Sequence, residues 1–379
     1  MKTYKELLEN KTEGHDSSVN MGDNGLMIFS SNIRSVSRLA MLFVPITFLI
    51  AACGGGSDST NTNAPETTVA ETTVPAPELA IDKVVAPEAT TITDLIALER
   101  PVVIAHAGGD FDWPHSTMYA FTQAALNGAD VLEMDVALSS DGVLMVQHDN
   151  TVDRLTNSTG LFASFTASDL QAMDNAHWFS GGVWSDHSLA EDAYIYRGVR
   201  TGEVPPPEGF TADDFGVATF EQVARAFPDF ALDVEIKIPE TESGEVLLDN
   251  AFAAAKELAR LITELDRTDS VIVVSFNDDV LAEFRSLIAD VATSPGQTSL
   301  VNWYLMGAAL DPRDVVFQAP PIYEGVEVLG KETFDRAHAE GYEVWVWMTE
   351  SSQETTEYFN DLLSRGADGL LVAAVTAIP

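Results

Sequence analysis

The chain has one cysteine in 379 residues, Cys53, so no disulfide can form within it. Bases are scarce as well: 20 Lys and Arg stand against 59 Asp and Glu, a net charge of −39. Such a surface disfavours nucleic acid and anionic membranes, and it repels an anionic substrate unless local cations or a metal reverse the potential. Solubility in a salty medium explains the acid excess without giving it a function. A comfortable membrane span is missing too, because the apolar run at 39–52 has only 14 residues and contains Pro45. No G-x-G-x-x-G follows the first strand-like segment, which disfavours a dinucleotide-binding unit.

What is present begins at that short apolar run. Arg34 and Arg38 precede it, as in a secretory signal. Ile50, Ala51 and Ala52 directly before Cys53 resemble the bacterial lipoprotein lipobox. The resemblance implies that Cys53 is diacylated and becomes the mature N-terminus, giving an exported protein lipid-anchored to the bacterial cell membrane or envelope. Residues 1–26 are polar and precede Met27, as an over-long start assignment would look. After Cys53, "GGGSDSTNTNAPETTVAETTVPAPE" is too poor in large apolar groups to bury a core. The expected organisation is therefore an N-terminal extension with signal peptide at 1–52, a disordered tether at 53–97, and one folded domain of barrel size at 98–379.

From residue 102 onward, apolar β-type runs alternate with helical patterns. The runs are "VVIAH", "VLEMDV", "FALDVEIK", "SVIVVSF", "VVFQAP", "VWVWM" and "GLLV"; the helical patterns fall at 116–128, 244–265, 278–289, 331–341 and 352–365. Alternation of this kind implies a parallel sheet covered by helices, and its repeat number over this length predicts a (β/α)8 TIM barrel. Asp141-Gly142 predicts a short inserted hairpin with a two-residue turn, which would set Ser140 against Val143 and Asp135 against His148. The aperiodic stretch 178–216 is too long for an ordinary loop and is expected to be an insertion capping the site.

Polar residues interrupt these strands at their C-terminal ends. His106 closes the first, Glu133 and Asp135 share one face of the next, and Glu235 and Lys237 repeat that spacing; Trp347 ends a later one. In a barrel this rim is where chemistry is assembled. Three carboxylates gathered there repel one another, and a divalent cation keeps them ionised; oxygen ligands point to Mg²⁺ or Ca²⁺. Lys237 is placed to balance the remaining charge and hold a phosphate oxygen. His106 and His148, on different strands, suit a general acid and a general base. Together these groups describe phosphodiester cleavage.

The segments "IAHAGG…PHSTMYAFTQAALNGADVLEMDVALSSDGVLMVQHD", "VEIK", "YEVWVWM" and "GADGLLV" resemble the glycerophosphodiester phosphodiesterases over about residues 100–379. That family's pattern is H-R-G, P-E-N-T, E-x-D-V, D-G, H-D, E-x-K, a late W and G-x-D-G-[IL]. The resemblance implies a TIM barrel in which Glu133, Asp135 and Glu235 bind the metal, His106 and His148 are the acid/base pair, Lys237 contacts phosphate and Trp347 lines the substrate pocket. It implies attack by the neighbouring glycerol hydroxyl through a cyclic phosphate, with direct attack by water as the alternative. Two departures stand out: Ala107 replaces the arginine after the first histidine, and His115-Ser116 replaces Glu-Asn. Arg197 and Arg200 in "YRGVRTG" are candidates to supply the absent guanidinium, with a structural role as the alternative.

The function expected is hydrolysis of glycerophosphodiesters to glycerol 3-phosphate and an alcohol by a membrane-tethered enzyme, with neither nucleic acid nor a protein partner inferred. Two rivals remain. One is phospholipase D-like action on lysolipids or sphingolipids, which a wide apolar groove beside Trp347 would favour over a short polar pocket. The other is a surface binding module that has lost catalysis with the arginine.

Overall fold

The computed structural model describes residues 78–379, apart from 242 and 324. Cys53, the signal segment and most of the expected tether lie outside the described residues.

Eight parallel strands run in the order β6-β5-β4-β2-β1-β11-β10-β7. They are β1 (Val102–Ala105), β2 (Val131–Leu138), β4 (Ala231–Ile236), β5 (Val271–Val274), β6 (Ala292–Thr293), β7 (Val316–Ala319), β10 (Glu343–Trp347) and β11 (Gly369–Val372). A parallel bridge between Thr293 and Asp314 joins the two edges, so the sheet is a nearly closed barrel. Three short strands lie off it: β3 (Leu144–Val146), antiparallel to β2, and the hairpin β8 (Ile322–Tyr323) with β9 (Val326–Glu327). The helices are α1 (Met118–Leu126), α2 (Ala167–Ala172), α3 (Phe220–Ala226), α4 (Leu248–Glu264), α5 (Asp278–Leu287), α6 (Gln297–Met306), α7 (Lys331–Glu340) and α8 (Thr356–Arg365).

Strand alternation divides the core into two layers. Leu132, Met134, Val136, Leu232, Val234 and Ile236 face outward and pack under the helices. Val131, Ala231, Ile272, Val316 and Trp345 face inward and fill the lower barrel. Glu133, Asp135, Asp233 and Glu235 occupy the same inward-facing positions further up β2 and β4, which are in register with Glu133 beside Asp233 and Asp135 beside Glu235. The sheet thus delivers the acids together at the C-terminal rim.

Several expectations need correction. Residues 80–97, left in the tether by the expected domain start at 98, instead belong to the folded domain: the Ala80 N–H bonds to the Gly209 carbonyl, Ile81 and Val84 pack against the outer layer, and Ile92 and Leu95 of the helical turn Ile92–Ile96 are 4% and 1% exposed and join the lower interior layer. The β2–β3 register is Val136 with Val146 and Leu138 with Leu144, which sets Asp135 against Gln147 rather than His148. The cause is the turn. Ser139 pairs with Val143 around a three-residue loop whose last residue, Gly142, takes φ +82°, so one more residue is used than a two-residue turn requires. Strand β2 also continues past the acids to Leu138, because β3 extends its pairing. The two-residue β6 and helices α2, α3 and α6 carried too short or too weakly periodic an apolar pattern to be predicted.

Candidate active site

One cavity of about 600 Å³ opens at this rim, and it is lined by His106, Glu133, Asp135, His148, Glu235, Lys237 and Trp347. The structure therefore brings together every predicted site residue among the described residues except the candidate arginines, Arg197 and Arg200. The Arg197 guanidinium donates to the His177 carbonyl (3.0 Å) and lies over the Trp178 and Tyr194 rings, 4.5 and 4.0 Å from their centres. Arg200 donates to the Gln171 carbonyl (2.8 Å) and pairs with Asp213 (2.9 Å). Neither lines the cavity, so neither replaces the absent arginine. Of the 178–216 insertion, Trp184 lines the cavity, while Tyr196 and Phe215 pack around Tyr119.

His106 opens the turn after β1, where Ala107, Gly108 and Gly109 all take positive φ (47°, 83° and 87°). For Ala107 that backbone is strained. It points the Ala107 N–H at Glu133 Oε2, 2.6 Å away. Gly108 is needed for space as well, since a Cβ there would stand 2.9 Å from that of Ala120. The His106 Nδ1 lies 2.9 Å from Asp110 Oδ1. Burial works to lower the His106 pKa, but Asp110, with Glu133 and Asp135, holds it up to about 10. His148 has a matching partner, with Nδ1 2.7 Å from Asp149 Oδ1. Asp149 in turn accepts hydrogen bonds from Arg154, whose guanidinium lines the cavity. Against burial, His148 and Arg154 hold the Asp149 carboxyl well below the usual carboxylate range.

His115 stands between the two histidines, its ring centre 6.2 Å from each. Burial, reinforced by the Arg154 charge, pushes its pKa down to about 3, so it is a neutral imidazole. Its Nδ1 is buried without a hydrogen-bond partner.

The cavity lining includes seven carboxyl groups, Asp110, Glu133, Asp135, Asp149, Asp233, Glu235 and Glu354, against Arg154, Lys237 and the protonated His106. Lys237 Nζ lies 3.0 Å from Glu235 and 3.4 Å from Asp135. Despite burial, its charge keeps Asp135 ionised, with a pKa lowered to about 2. Burial, with repulsion from Asp135, raises Glu133 well above its ordinary value and raises Glu235 too. Burial pushes Asp233 up to about 7, although Gln318 donates to it, and likewise Glu354, which accepts the Ala373 and Ala374 N–H groups.

These residues fit a divalent cation by two criteria. The donors are hard carboxylate oxygens whose mutual repulsion a cation would relieve. Asp135 Oδ2 is buried with no hydrogen-bond partner, an acceptor left open. Among the described residues, no three His, Cys, Asp or Glu side chains already surround one point at ligating distance. The Lys237 ammonium takes the central counter-charge instead.

Sequence reasoning did not single out Asp110, Asp149, Arg154 or Glu354. Asp149 adjoins His148 and Asp110 lies four residues after His106, so proximity to a candidate histidine was a usable signal. Arg154 and Glu354 carry none, because the fold alone brings them to the rim.

A model described as the Glycerophosphoryl diester phosphodiesterase family matches residues 106–376. The chain is similar to a Caldanaerobacter subterraneus glycerophosphodiester phosphodiesterase, 25% identical over 72% of this chain and 93% of that protein. It is also similar to human glycerophosphodiester phosphodiesterase 1, 42% identical over 78 residues, a match that spans only 24% of the human protein and 21% of this chain. Among solved structures, the glycerophosphoryl diester phosphodiesterase domain of a Mycobacterium tuberculosis protein shares the fold with a TM-score of 0.54, at 20% identity over 74% of this chain and 98% of that one. An Oleispira antarctica phosphodiesterase in complex with the product sn-glycerol-3-phosphate does so with a TM-score of 0.51, at 19% identity over 73% and 95%.

Proposed function

The chain belongs to the glycerophosphoryl diester phosphodiesterase family, and from that premise we propose that it hydrolyses glycerophosphodiesters to glycerol 3-phosphate and an alcohol. The observation that carries this reading is the meeting of His106 and His148 with Glu133, Asp135 and Glu235 in one cavity. A phosphodiester anion entering among seven carboxyl groups needs its charge compensated.

Glu133, Asp135 and Glu235 would hold a divalent cation, Mg²⁺ or Ca²⁺. When bound, it supplies charge neutralisation and polarisation of the phosphoryl oxygens. Lys237 and Arg154 are further cations at the cavity and would bind phosphate oxygens. The two histidines each commit Nδ1 to a carboxylate, which leaves Nε2 of each for proton transfer. One removes the proton of the glycerol hydroxyl next to the phosphate as its oxygen bonds to phosphorus, and the other gives a proton to the alkoxide that leaves as the phosphorus–oxygen bond to the alcohol breaks; with the roles exchanged, a water then opens the cyclic phosphate to glycerol 3-phosphate. Asp110 and Asp149 orient these rings. His115, neutral and between them, fills the space without adding charge. We also propose that Cys53 carries the lipid anchor and that the enzyme works outside the cell membrane. No helix among the described residues is long and apolar enough to cross a membrane.

The test is release of glycerol 3-phosphate from glycerophosphocholine. We expect turnover with added Mg²⁺ or Ca²⁺, its loss on chelation, and its return when metal is restored. Absence of product under every metal condition, with folded protein, would exclude the activity.

A further inference from the structure

Six of the seven carboxyl groups at the cavity are accounted for by their neighbours. Asp110 and Asp149 hold the two histidines, and Glu133, Asp135 and Glu235 would hold the cation. Asp233 is 1% exposed and takes the Gln318 amide at 2.8 Å. Glu354 is left. It lies between β10 and α8, lines the cavity together with Trp347, Met348 and Thr349 of the same segment, and has no part in the proton transfers.

The Glu354 carboxyl is held rigidly. Its Oε2 accepts the Ala373 and Ala374 N–H groups, at 3.1 and 3.0 Å, in the turn that follows β11. That turn is clamped to the one carrying Asp110: the Phe111 N–H donates to the Ala373 carbonyl (3.0 Å), and Asp112 accepts from the Thr376 hydroxyl and N–H (2.8 and 2.9 Å). The loop before Glu354 is pinned as well, since the Gln353 side chain accepts the Thr349 and Glu350 N–H groups at 2.9 and 3.0 Å. Both backbone bonds to Glu354 go to one oxygen, and among the described residues nothing donates to the other, Oε1. The group stands close enough to His106 and Asp110 to feel their charges.

A carboxylate oxygen only accepts hydrogen bonds. In glycerophosphocholine the phosphate also only accepts, and the quaternary nitrogen has no proton to give. The donors of that molecule are therefore its two glycerol hydroxyls, on adjacent carbons. One is the attacking hydroxyl, whose proton goes to a histidine. The other, at the end of the glycerol, has no partner in the mechanism and lies one carbon from the reacting oxygen.

We propose that Glu354 Oε1 accepts a hydrogen bond from this terminal hydroxyl, which makes Glu354 the residue that selects diesters whose glycerol end is free. The contact rests on the phosphodiesterase reading for where the phosphate and the attacking hydroxyl lie. A substrate lacking the hydroxyl leaves Oε1 without its donor, which is how a site built to bond a hydroxyl rejects the deoxy analogue.

The test compares glycerophosphocholine with the phosphocholine diester of propane-1,2-diol esterified at its primary oxygen, which keeps the attacking hydroxyl and lacks the terminal one. Both release choline, so one assay follows both, with Mg²⁺ present and at pH 8, above the value of about 7 to which burial pushes Glu354. The parent should favour glycerophosphocholine about tenfold to a hundredfold in kcat/KM, the effect of one hydrogen bond to a charged group. In Glu354→Gln the Ala373 and Ala374 N–H groups claim the amide oxygen, which turns the NH₂ group to the cavity in place of the acceptor. The preference should then fall to within about threefold, since only a neutral contact remains. Each ratio is taken on one preparation, so a loss of folded enzyme cancels from it. A parent preference below about threefold, a preference that Glu354→Gln leaves intact, or equal slowing of both diesters down to no turnover would overturn the proposal and leave Glu354 a brace for the turns. Should the parent cleave neither diester, calorimetry with glycerol 3-phosphate and propane-1,2-diol 1-phosphate keeps the two failures apart. Tighter binding of the former, lost in Glu354→Gln, would uphold the hydroxyl contact and defeat the catalytic reading; equal or absent binding would defeat both.

Discussion

Asp149→Asn is the sharpest probe of how the site works, because it removes a charge without removing volume. Asp149 accepts from His148 Nδ1 at 2.7 Å and from the Arg154 guanidinium, and its carboxylate is held ionised. A carboxylate only accepts, so it fixes the Nδ1–H tautomer and leaves Nε2 as the basic nitrogen facing the cavity. An amide offers an NH₂ group as readily as an oxygen, so the tautomer and the ring angle are both released. One charge-assisted hydrogen bond is worth about 1.5–3 kcal/mol. If it acts in the transition state, its loss lowers kcat about 10-fold to 150-fold. Deleting the imidazole with His148→Ala sets the ceiling at about 10²–10⁴. Steady-state kinetics on glycerophosphocholine with saturating Mg²⁺ should show the loss in kcat with KM little changed and a melting temperature close to the parent's. Because Asp149 acts through His148, the double variant should be no slower than His148→Ala alone. A kcat within threefold of the parent, or a defect confined to KM, would refute the reasoning.

Two further outcomes test the scaffold. Burial, with the charge of Asp368, pushes Glu343 up to about 7 from its ordinary 4.5, so between those values the folded chain holds a proton that the unfolded chain releases. Stability should therefore fall as pH rises from about 4.5 to about 7 and stay lower above it. Glu343→Gln should flatten that slope and gain about 1–2 kcal/mol at pH 8, allowing for partial exposure; urea unfolding of both proteins at pH 5 and pH 8 checks this. Leu95→Ala should cost about 2–4 kcal/mol, measured by urea unfolding, since Leu95 is 1% exposed beneath the barrel; a loss under 0.5 kcal/mol would mean that the segment before residue 98 is not part of the folded domain.

The barrel was legible because parallel strands buried on both faces read as apolar runs, and because a two-residue period places Glu133 with Asp135 and Glu235 with Lys237 whatever the tertiary detail. The hairpin register was not, since Asp141-Gly142 serves both a two-residue turn and the last two residues of a three-residue loop, and Ser139 decides between them by pairing with Val143. Residues 80–97 were misassigned for a different reason. They carry apolar residues but no strand–helix alternation, and only the barrel's open lower end gives Ile92 and Leu95 something to bury against. Arg154 was invisible because no local pattern marks a loop side chain that reaches a site built on other strands.

The two departures from the family pattern make sense only together. Removing the arginine at 107 alone would take a cation from a cavity already lined by seven carboxyl groups, and it would make anion entry harder. Replacing the acid of P-E-N-T by His115, which burial keeps neutral, removes a negative charge at the same time. The pair of changes leaves the local balance where it was. What they do not restore is a guanidinium, and Arg154 provides one at the cavity wall, beside Asp149 and close enough to His115 to influence its titration. Arg154 is thus held by Asp149, through which it bears on the position of His148, and on the proposed reading it meets the phosphate as well. Lysine at 154 would keep the charge but not the two-pronged contact with Asp149, so Arg154→Lys should retain substrate affinity better than kcat.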